Sequence, residues 1–351
     1  FKEMLPPDWD ILSVILLLAL VLRMWFALSY DATLYDQAGE GVRYIGMIGG
    51  EPIDSSSPPL YIMFLRICLA AFGRGAAKAA FVIKGILGTV SVALIYYIAR
   101  EMSDRTTAVA AAAISALYVN YMMVALALSP RVPGIVAVLA VTLILMKAGE
   151  RKRDYGIAGG LLGLGILVDP YILLFVPGFL VVSGNRKIFF LVLLAALLPW
   201  TLRNSVNEGV LLPVYSPGAL ELDFSRWVIR DIKDVYQLVD KLYINGSMLF
   251  SIGGGWVQSS SSTASDSIRD SSSFGAYFYM MISLGGLVGL LRYHEKRHRV
   301  LLYSVLIYLG LLILFSTTRN TNRLLAEHLP IFYSAVFLMR IVRRFRPAPQ
   351  E

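Results

Sequence analysis

Residues 29–40 read SYDATLYDQAGE and follow directly after the first long apolar run of the chain, at residues 11–29. The segment carries the carboxylates of Asp31 and Asp36 at the point where a membrane helix would leave the bilayer. A charge at that depth is costly unless it has a partner or a function. We therefore expect this segment to form the floor of an active site at the outer membrane surface, surrounded by a helical bundle and a basic clamp.

The composition is typical of a membrane protein. Of the 351 residues, 57% are hydrophobic and 16% are charged, whereas a soluble domain has about 25% charged residues. The net charge of +8 does not indicate a nucleic-acid partner, because the basic residues fall in short clusters between apolar runs. The single cysteine, Cys68, excludes an internal disulfide and a cysteine-based metal site.

The distribution of basic residues selects one membrane topology. The apolar run at residues 60–72 is short and contains Arg66, which favours an interfacial helix over a crossing. If the N-terminus is cytoplasmic and this run does not cross, every strong basic cluster is cytoplasmic, as the positive-inside rule requires. These clusters lie at residues 100–105, 147–153, 186–187, 292–299 and 340–346. The predicted spans are residues 11–29, 79–99, 107–126, 132–146, 156–168, 171–182, 188–198, 274–291, 300–315 and 331–342.

The sequence therefore predicts an all-α polytopic protein of a plasma or inner membrane, with about ten transmembrane helices. Juxtamembrane helices are expected in the first outer loop, and both termini are expected in the cytoplasm. Residues 1–200 would form an N-terminal transmembrane module, whose first outer loop covers residues 30–78. Residues 201–273 would form an extracytoplasmic region with short helices, and residues 274–351 would hold the C-terminal transmembrane helices.

Acidic residues on the predicted outer face could carry catalysis. Asp31 and Asp36 could act as a general base at the interface. They could also be solvated loop carboxylates, or a cap for a helix that starts near Tyr35. Either carboxylate could bind magnesium or manganese, although nothing in the sequence indicates a metal site. The chain contains no P-loop and no dinucleotide-binding fingerprint in its strand context.

Basic residues on the same face suggest an anionic ligand. Arg203, Arg319 and Arg323 stand at outer helix ends, where topology gives arginine no role. Guanidinium groups bind phosphate oxygens in bidentate pairs, so these side chains would suit a phosphate group. Lys84 is a lower-ranked candidate for the same pocket. The remaining residues expected around the pocket are Tyr35, Glu40, Tyr61, Arg131, Asp169, Glu327 and His328.

Several motifs resemble those of the GT-C membrane glycosyltransferases, in the branch of protein O-mannosyltransferases and lipid A aminoarabinose transferases. The first span is followed by an acidic residue and, after three residues, a tyrosine, here Asp31 and Tyr35. The most specific match is LPWTLRN at residues 198–204, followed by Gly209 and PVYSPG. The other matching segments are PPLY at residues 58–61, ARE at residues 99–101, GILVDP at residues 165–170 and the arginine-rich residues 319–330.

The resemblance implies an enzyme that moves a sugar from a polyprenyl-phosphate carrier to a lipid, glycan or protein acceptor at the extracytoplasmic face. It assigns Asp31 to the acceptor hydroxyl, as a base or an orienting group. It assigns Arg203 and Arg323 to the carrier phosphate. Many relatives carry a second acidic residue in the loop after the third span, whereas this chain reads LSPR at residues 128–131. Asp36 or Asp169 could take that role, or the role is absent.

Two other classes of function compete with this interpretation. A transporter or flippase of a lipid-linked sugar would have broken helices, internal repeats and charged residues near the bilayer midplane. No convincing repeat is found, and the ionisable residues gather at one predicted face. A noncatalytic scaffold subunit would not require carboxylates and arginines to converge on the outer surface.

Overall fold

A computed structural model describes residues 9–29, 57–125, 129–208, 298–315 and 328–345, together with residues 48, 53, 285, 286, 288, 289 and 325. Every regular element within these ranges is a helix. The α-helices are α1 (Trp9–Ser29), α2 (Pro59–Phe72), α3 (Ala76–Met102), α4 (Arg105–Leu117), α5 (Val119–Ala125), α6 (Arg131–Lys147), α7 (Lys152–Val168), α8 (Val176–Val182), α9 (Arg186–Glu208), α10 (Arg299–Phe315) and α11 (His328–Phe345). Short 3-10 helices at Gly73–Gly75 and Pro170–Phe175 connect α2 to α3 and α7 to α8.

The helices have the length and composition of a polytopic membrane protein. Among the residues that the structure describes, three helical segments are long and apolar enough to cross a bilayer, namely Asp10–Ser29, Pro59–Met102 and Arg186–Asn207. Shorter apolar helices occupy Arg105–Leu117, Pro170–Val182 and Arg299–Leu309. The predicted all-α membrane fold is confirmed, whereas the number of ten crossings stays a prediction.

The basic ends of several helices meet at one end of the bundle. Lys147 at the end of α6 forms an ion pair with Glu101 at the end of α3, with 2.9 Å between Nζ and the carboxylate. Arg343 near the end of α11 forms a 2.5 Å ion pair with Asp104, which precedes α4. We call this the basic end of the bundle, and it contains basic residues that are far apart in the sequence.

The opposite end, which we call the distal end, receives the starts of α6 and α11 and the ends of α7 and α9. Helices α7 and α9 run parallel, because Gly159 lies against Phe189 and Gly163 lies against Leu193 and Ala196. Since α7 leaves the basic end after the short turn that follows α6, its C-terminal neighbour Asp169 is at the distal end. The last turns of α9 extend to the same end.

Two helices differ from the predicted spans. The run expected at residues 188–198 continues through Pro199 as far as Glu208. In this extension Trp200 packs against the core, and Thr201 Oγ1 donates a 3.0 Å hydrogen bond to the Leu197 carbonyl. The run expected at residues 107–126 is interrupted at Tyr118, whose extended backbone (φ −71°, ψ 103°) separates α4 from α5.

Helix α2 lies beside α3 and α7. Its 14 residues rise about 21 Å, which is less than the roughly 30 Å of a hydrocarbon core. Tyr61, Ile62, Leu65 and Cys68 are buried on one side of the helix. Gly73, with φ of +51°, reverses the backbone after α2 at a position that favours glycine. The prediction that this helix does not cross the membrane fits its length and stays a prediction.

Candidate functional site

A buried ion pair connects two loops at the distal end. Arg131 is the first residue of α6, and Asp169 follows the last residue of α7. The Arg131 Nη1 and Asp169 Oδ1 atoms are in direct contact, although the residues are 38 positions apart. Only 2% of Arg131 and none of Asp169 is exposed. Removing each charge from water costs free energy, and the attraction between the two opposite charges offsets that cost.

The local backbone explains why Asp169 occupies this position. Asp169 caps the 3-10 helix that follows, and its Oδ1 atom accepts a 3.1 Å hydrogen bond from the Tyr171 backbone N–H. Pro170 stands at the first position of that helix, where a missing N–H is tolerated. The sequence Asp-Pro-Tyr therefore ends α7 and turns the carboxylate towards Arg131.

Aromatic rings enclose the ion pair. The Arg131 guanidinium lies 4.4 Å from the centroid of the Tyr171 ring, within range for a cation–π interaction. Tyr308 of α10 is fully buried, and its ring stacks on Phe175 with centroids 4.0 Å apart. Helices α6, α7 and α10 thus meet around one pair of charges.

Leu325, the one described residue shortly before α11, also lies near this pair. A Cβ atom at Gly134 would lie 3.0 Å from Asp169 Oδ2 and 3.3 Å from the Leu325 side chain. Leu325 is completely buried, and it belongs to the arginine-rich segment at residues 319–330. His328, the first residue of α11, is also buried, with 3% of its surface exposed. The absence of a side chain at Gly134 therefore allows residues 325 and 169 to approach.

Arg203 connects α9 to the first predicted outer loop. Its Nη2 atom donates a 2.5 Å hydrogen bond to the Ile53 carbonyl, and its Nη1 atom donates a 3.0 Å bond to Asn204 Oδ1. Its guanidinium lies 4.9 Å from the centroid of the Trp200 ring. Arg203 is half-buried at the distal end.

Tyr61 and Lys84 lie inside the bundle. Tyr61 belongs to a small buried cluster with Ile53 and Ala80, against which Trp200 packs. Lys84 is fully buried in α3, with its ammonium group 5.6 Å from the Phe81 ring centroid. The sequence predicts Lys84 near the outer surface because the apolar run begins at residue 79. In the structure α3 begins at Ala76 and the Lys84 side chain is buried in the bundle, so its place in an anionic pocket stays a prediction.

The remaining predicted site residues lie outside the described residues. These are Asp31, Tyr35, Asp36, Glu40, Arg319, Arg323 and Glu327. The carboxylates that could hold a magnesium or manganese ion are among them. Within the part of the chain that the structure describes, no three His, Cys, Asp or Glu side chains come together.

Sequence reasoning did not include two tyrosines and a tryptophan that shape the distal end. The Tyr171 ring lies against the Arg131 guanidinium, Tyr308 stacks on Phe175 beside it, and the Trp200 ring lies 4.9 Å from the Arg203 guanidinium. Trp200 and Tyr171 stand within three residues of Arg203 and Asp169, which is a signal that the sequence contains. Tyr308 lies inside an apolar run, where an aromatic residue is ordinary core packing.

Comparisons with known proteins agree with this architecture. Residues 56–201 match the family model described as dolichyl-phosphate-mannose-protein mannosyltransferase. A search of curated proteins finds no sequence match. The chain resembles the crystal structure of ArnT from Cupriavidus metallidurans bound to undecaprenyl phosphate, with a TM-score of 0.58, 12% identity, and coverage of 93% of this chain and 60% of that one.

A second similar structure is the Archaeoglobus fulgidus oligosaccharyltransferase tethered to an acceptor peptide. The TM-score is 0.56 with 16% identity, and the match covers 96% of this chain and 50% of that one. The archaeal oligosaccharyltransferase AglB in complex with an inhibitory peptide and a dolichol-phosphate has a TM-score of 0.52 with 14% identity, covering 100% of this chain and 53% of that one.

These solved structures share the fold, and this chain spans only half to three-fifths of their length. The matches confirm the resemblance that the motifs indicated. The chain is an integral membrane protein with the GT-C fold, and its residues 56–201 match the dolichyl-phosphate-mannose-protein mannosyltransferase family.

Proposed function

We propose that this protein transfers a sugar from a polyprenyl-phosphate-linked donor to a lipid, glycan or protein acceptor at the extracytoplasmic face of a plasma or inner membrane. Both termini are then cytoplasmic, and the distal end of the bundle faces outward. The basic end faces the cytoplasm, as the positive-inside rule predicts.

The observation that carries the proposal is the position of Arg203. Its guanidinium contacts the Ile53 carbonyl, so it lies against the loop that also contains Asp31 and Asp36. The candidate phosphate ligand therefore contacts the same predicted outer loop in which the candidate bases stand in the sequence. Support comes from the ArnT structure, which contains undecaprenyl phosphate, and from the AglB structure, which contains a dolichol-phosphate.

The reaction assigns complementary roles to these residues. The acceptor hydroxyl attacks the anomeric carbon of the sugar, the bond from that carbon to the phosphate oxygen breaks, and the carrier phosphate leaves. Asp31, with Asp36 as second choice, accepts or orients the hydroxyl proton. Arg203, Arg319 and Arg323 stabilise the charge that grows on the leaving phosphate, with Lys84 as a further contributor.

The contacts of Asp169 restrict its role. Its Oδ1 atom binds Arg131 and the Tyr171 N–H, and its carboxylate is fully buried. A fully buried carboxylate whose Oδ1 atom is held by two donors has no exposed surface from which to reach an acceptor hydroxyl. We therefore assign Asp169 to positioning the Arg131 turn at the wall of the pocket, and we keep Asp36 as the second candidate base.

A transfer assay tests these assignments. Purified protein in lipid is given radiolabelled polyprenyl-phosphate sugars, and Asp31→Asn, Asp36→Asn and Arg203→Ala are compared with the wild type. Loss of Arg203 should lower the turnover rate by roughly 100-fold, because one preorganised charge partner of the leaving group is removed. Arg186→Ala, at the other end of the same helix, is the matched control and should leave the rate unchanged. Unchanged transfer in all three site variants would contradict the proposed site.

The same assay separates the enzyme from a flippase of a lipid-linked sugar. Arg23 and Lys84 are buried within candidate spans, which is a feature that transporters share. Transbilayer movement of the labelled lipid, without transfer to any acceptor, would favour the flippase. Transfer that depends on Arg203 would support the enzyme.

A further inference from the structure

The start of α2 and the last turns of α9 meet at the distal end. Arg203 of α9 donates a hydrogen bond to the Ile53 carbonyl, in the chain before α2. Trp200, about one turn earlier in α9, packs against the buried cluster that contains Ile53 and Tyr61. We call this contact the α2–α9 junction and define it by Ser57, Tyr61, Trp200 and Arg203.

Two polar atoms at the α2–α9 junction are buried and have no hydrogen-bond partner within the described part of the chain. They are the Trp200 Nε1 atom and the Ser57 Oγ atom. Ser57 stands between Ile53 and Tyr61 in the sequence and has no exposed surface. Buried polar groups in folded proteins are nearly always hydrogen-bonded, because an unpaired one has lost its bond to water without a replacement. A bound molecule would supply the acceptor that both groups lack.

The chemistry of these groups selects an anion. An indole N–H can donate a hydrogen bond and cannot accept one. Arg203 brings a permanent positive charge to the junction, with its guanidinium 4.9 Å from the centroid of the Trp200 ring. Helix α2 contains no Asp or Glu, and α9 contains none before its last residue, Glu208. The molecule that fits is a negatively charged acceptor, and a phosphate group has several oxygen atoms for these donors.

The spacing of Trp200 and Arg203 allows both to bind one group. Both residues belong to α9, and residues three apart are neighbours on the surface of an α-helix. Each of the two side chains is partly exposed, whereas the Trp200 Nε1 atom is buried. The junction therefore reaches the molecular surface and has the indole N–H on its inner side.

The surface beside the junction is apolar. Arg203 lies between Trp200 and Val206, about 60° around the helix axis from each. Val206 and its neighbour on that face, Leu202, are exposed by 83% and 53%. An inorganic anion would pair with the donors and leave these side chains uncovered. A phosphate attached to a long hydrocarbon chain satisfies both, with the phosphate at the junction and the chain along α9.

We propose that Trp200 and Ser57 are further ligands of the carrier phosphate, which the indole N–H and the serine hydroxyl bind beside the Arg203 guanidinium. The inference rests on the proposed function, since it adds two residues to the phosphate site of that reaction. The same donors bind the phosphate of the sugar donor and that of the released carrier. Their role is therefore in binding and involves no proton transfer.

Binding of undecaprenyl phosphate, a carrier without its sugar, tests the inference apart from catalysis. The full-length protein in detergent micelles contains isotopically labelled tryptophan, and the indole N–H signal that Trp200→Phe removes is assigned to Trp200. Saturation with undecaprenyl phosphate should shift this proton signal downfield, because the proton enters a hydrogen bond to a charged oxygen. Undecaprenol, which lacks the phosphate, should cause no such shift.

Two variants measure the contribution of each donor. Trp200→Phe keeps an aromatic ring against Arg203 and removes the N–H, so it should weaken undecaprenyl phosphate binding about ten-fold. Ser57→Ala removes the hydroxyl and should weaken the binding about five-fold. Trp25→Phe is the matched control, because Trp25 in α1 is 64% exposed, and it should leave the affinity unchanged. Thermal unfolding midpoints verify that each variant is folded.

Unchanged affinity in either Trp200→Phe or Ser57→Ala, or an unshifted Trp200 signal at saturation, would overturn the inference. An equal loss of affinity in Trp25→Phe would do the same. Full displacement by inorganic phosphate at a similar concentration would also overturn it, because the junction would then bind the free ion. Each of these outcomes leaves the proposed function intact if the wild type still transfers sugar. Phosphate-dependent binding that shifts the Trp200 signal, without any transfer, would support the inference and contradict the proposed function.

Discussion

Arg131 and Asp169 are an ion pair whose members have almost no contact with solvent. Burial of each charge costs several kcal/mol, and attraction between the two offsets that cost only while both are present. Asp169 also caps the 3-10 helix through the Tyr171 N–H. The pair therefore fixes the positions of the two loops at the distal end, and single substitutions should be more harmful than removal of both charges.

Asp169→Asn should lower the free energy of unfolding by about 3–5 kcal/mol, because it removes the carboxylate charge that contacts the buried Arg131 guanidinium. The double variant Arg131→Gln/Asp169→Asn should lose less than the sum of the two single variants. Unfolding in mild detergent, followed by helical circular dichroism, measures all three. Additive losses would show that the two charges do not stabilise each other.

At the scale of helices, buried side chains decide where a helix ends. Arg23 of α1 donates hydrogen bonds to the carbonyls of Ser115 and Ala116, at 3.3 Å each. These carbonyls belong to the last turn of α4, which carries the negative end of the helix dipole. Gly88 of α3 makes room for the arginine, since a Cβ there would lie 2.8 Å from Arg23 Nε. The interruption at Tyr118 is thus stabilised inside the bundle.

Helices α7 and α9 approach closely through small residues. The glycines at positions 159 and 163 are four residues apart and face α9, in the small-xxx-small arrangement that lets membrane helices make backbone contact. A Cβ atom at Gly163 would lie 2.7 Å from Ala196 Cβ. A Cβ atom at Gly159 would overlap the Phe189 carbonyl. The parallel packing that carries Arg203 to the distal end depends on this contact.

Gly159→Ala should destabilise the protein by about 1–3 kcal/mol, because the added methyl group must separate two backbones. The adjacent variant Gly160→Ala is the matched control. Its Cβ would meet only Val192 Cγ1, at an ordinary 3.5 Å, and alanine has a helix propensity about 1 kcal/mol better than that of glycine. Thermal unfolding midpoints should fall for the first variant and stay or rise for the second. Equal midpoints would contradict the close α7–α9 packing.

At the scale of the whole molecule, charge is sorted between the two ends. The basic end joins α3, α4, α6, α10 and α11 through exposed ion pairs and through His298. Exposed pairs of this kind are each worth at most about 1 kcal/mol, so their main effect is to fix which helix ends are neighbours. The distal end contains the buried pair and Arg203. The two ends therefore differ in solvent exposure. The ion pairs at the basic end are exposed, whereas the ion pair at the distal end, where the reaction is proposed to occur, is buried.

Stability at the basic end should depend on pH through Asp104. Partial burial alone would raise the pKa of this carboxyl, but hydrogen bonds from Thr106, Thr107 and Arg343, with the Arg343 charge, lower the pKa below its ordinary value. The pKa of Asp104 is lower in the folded protein than in the unfolded chain, where it is about 3.9. The ionised carboxylate therefore contributes its full stabilisation at pH values above about 4. It is lost as the pH falls through the folded pKa.

The unfolding midpoint of the wild type should therefore decrease on acidification below about pH 4. The decrease of the unfolding midpoint on acidification should be smaller in Asp104→Asn. The difference in the free energy of unfolding should be at most about 1 kcal/mol, because the ion pair is partly exposed. Arg343→Gln should also reduce the dependence, since it removes the charge that lowers the Asp104 pKa. Identical acid profiles in the wild type and both variants would show that this pair does not connect α11 to α4.

The sequence by itself determined the all-α membrane fold, the GT-C resemblance and most helix boundaries, because these depend on local apolar content and on nearby proline and glycine. It also predicted that residues 100–105, 147–153 and 340–346 share one end of the bundle, and for the described residues the pairs of Lys147 with Glu101 and of Arg343 with Asp104 agree. The cytoplasmic side of that end stays a prediction. Only the tertiary structure decided that Asp169 neutralises Arg131, that Arg203 binds the Ile53 carbonyl 150 positions away, and that Lys84 and Arg23 turn inward. These contacts depend on which helix faces pack together, and no local pattern specifies that choice. The catalytic assignment of Asp31 and Asp36 stays a prediction of the sequence.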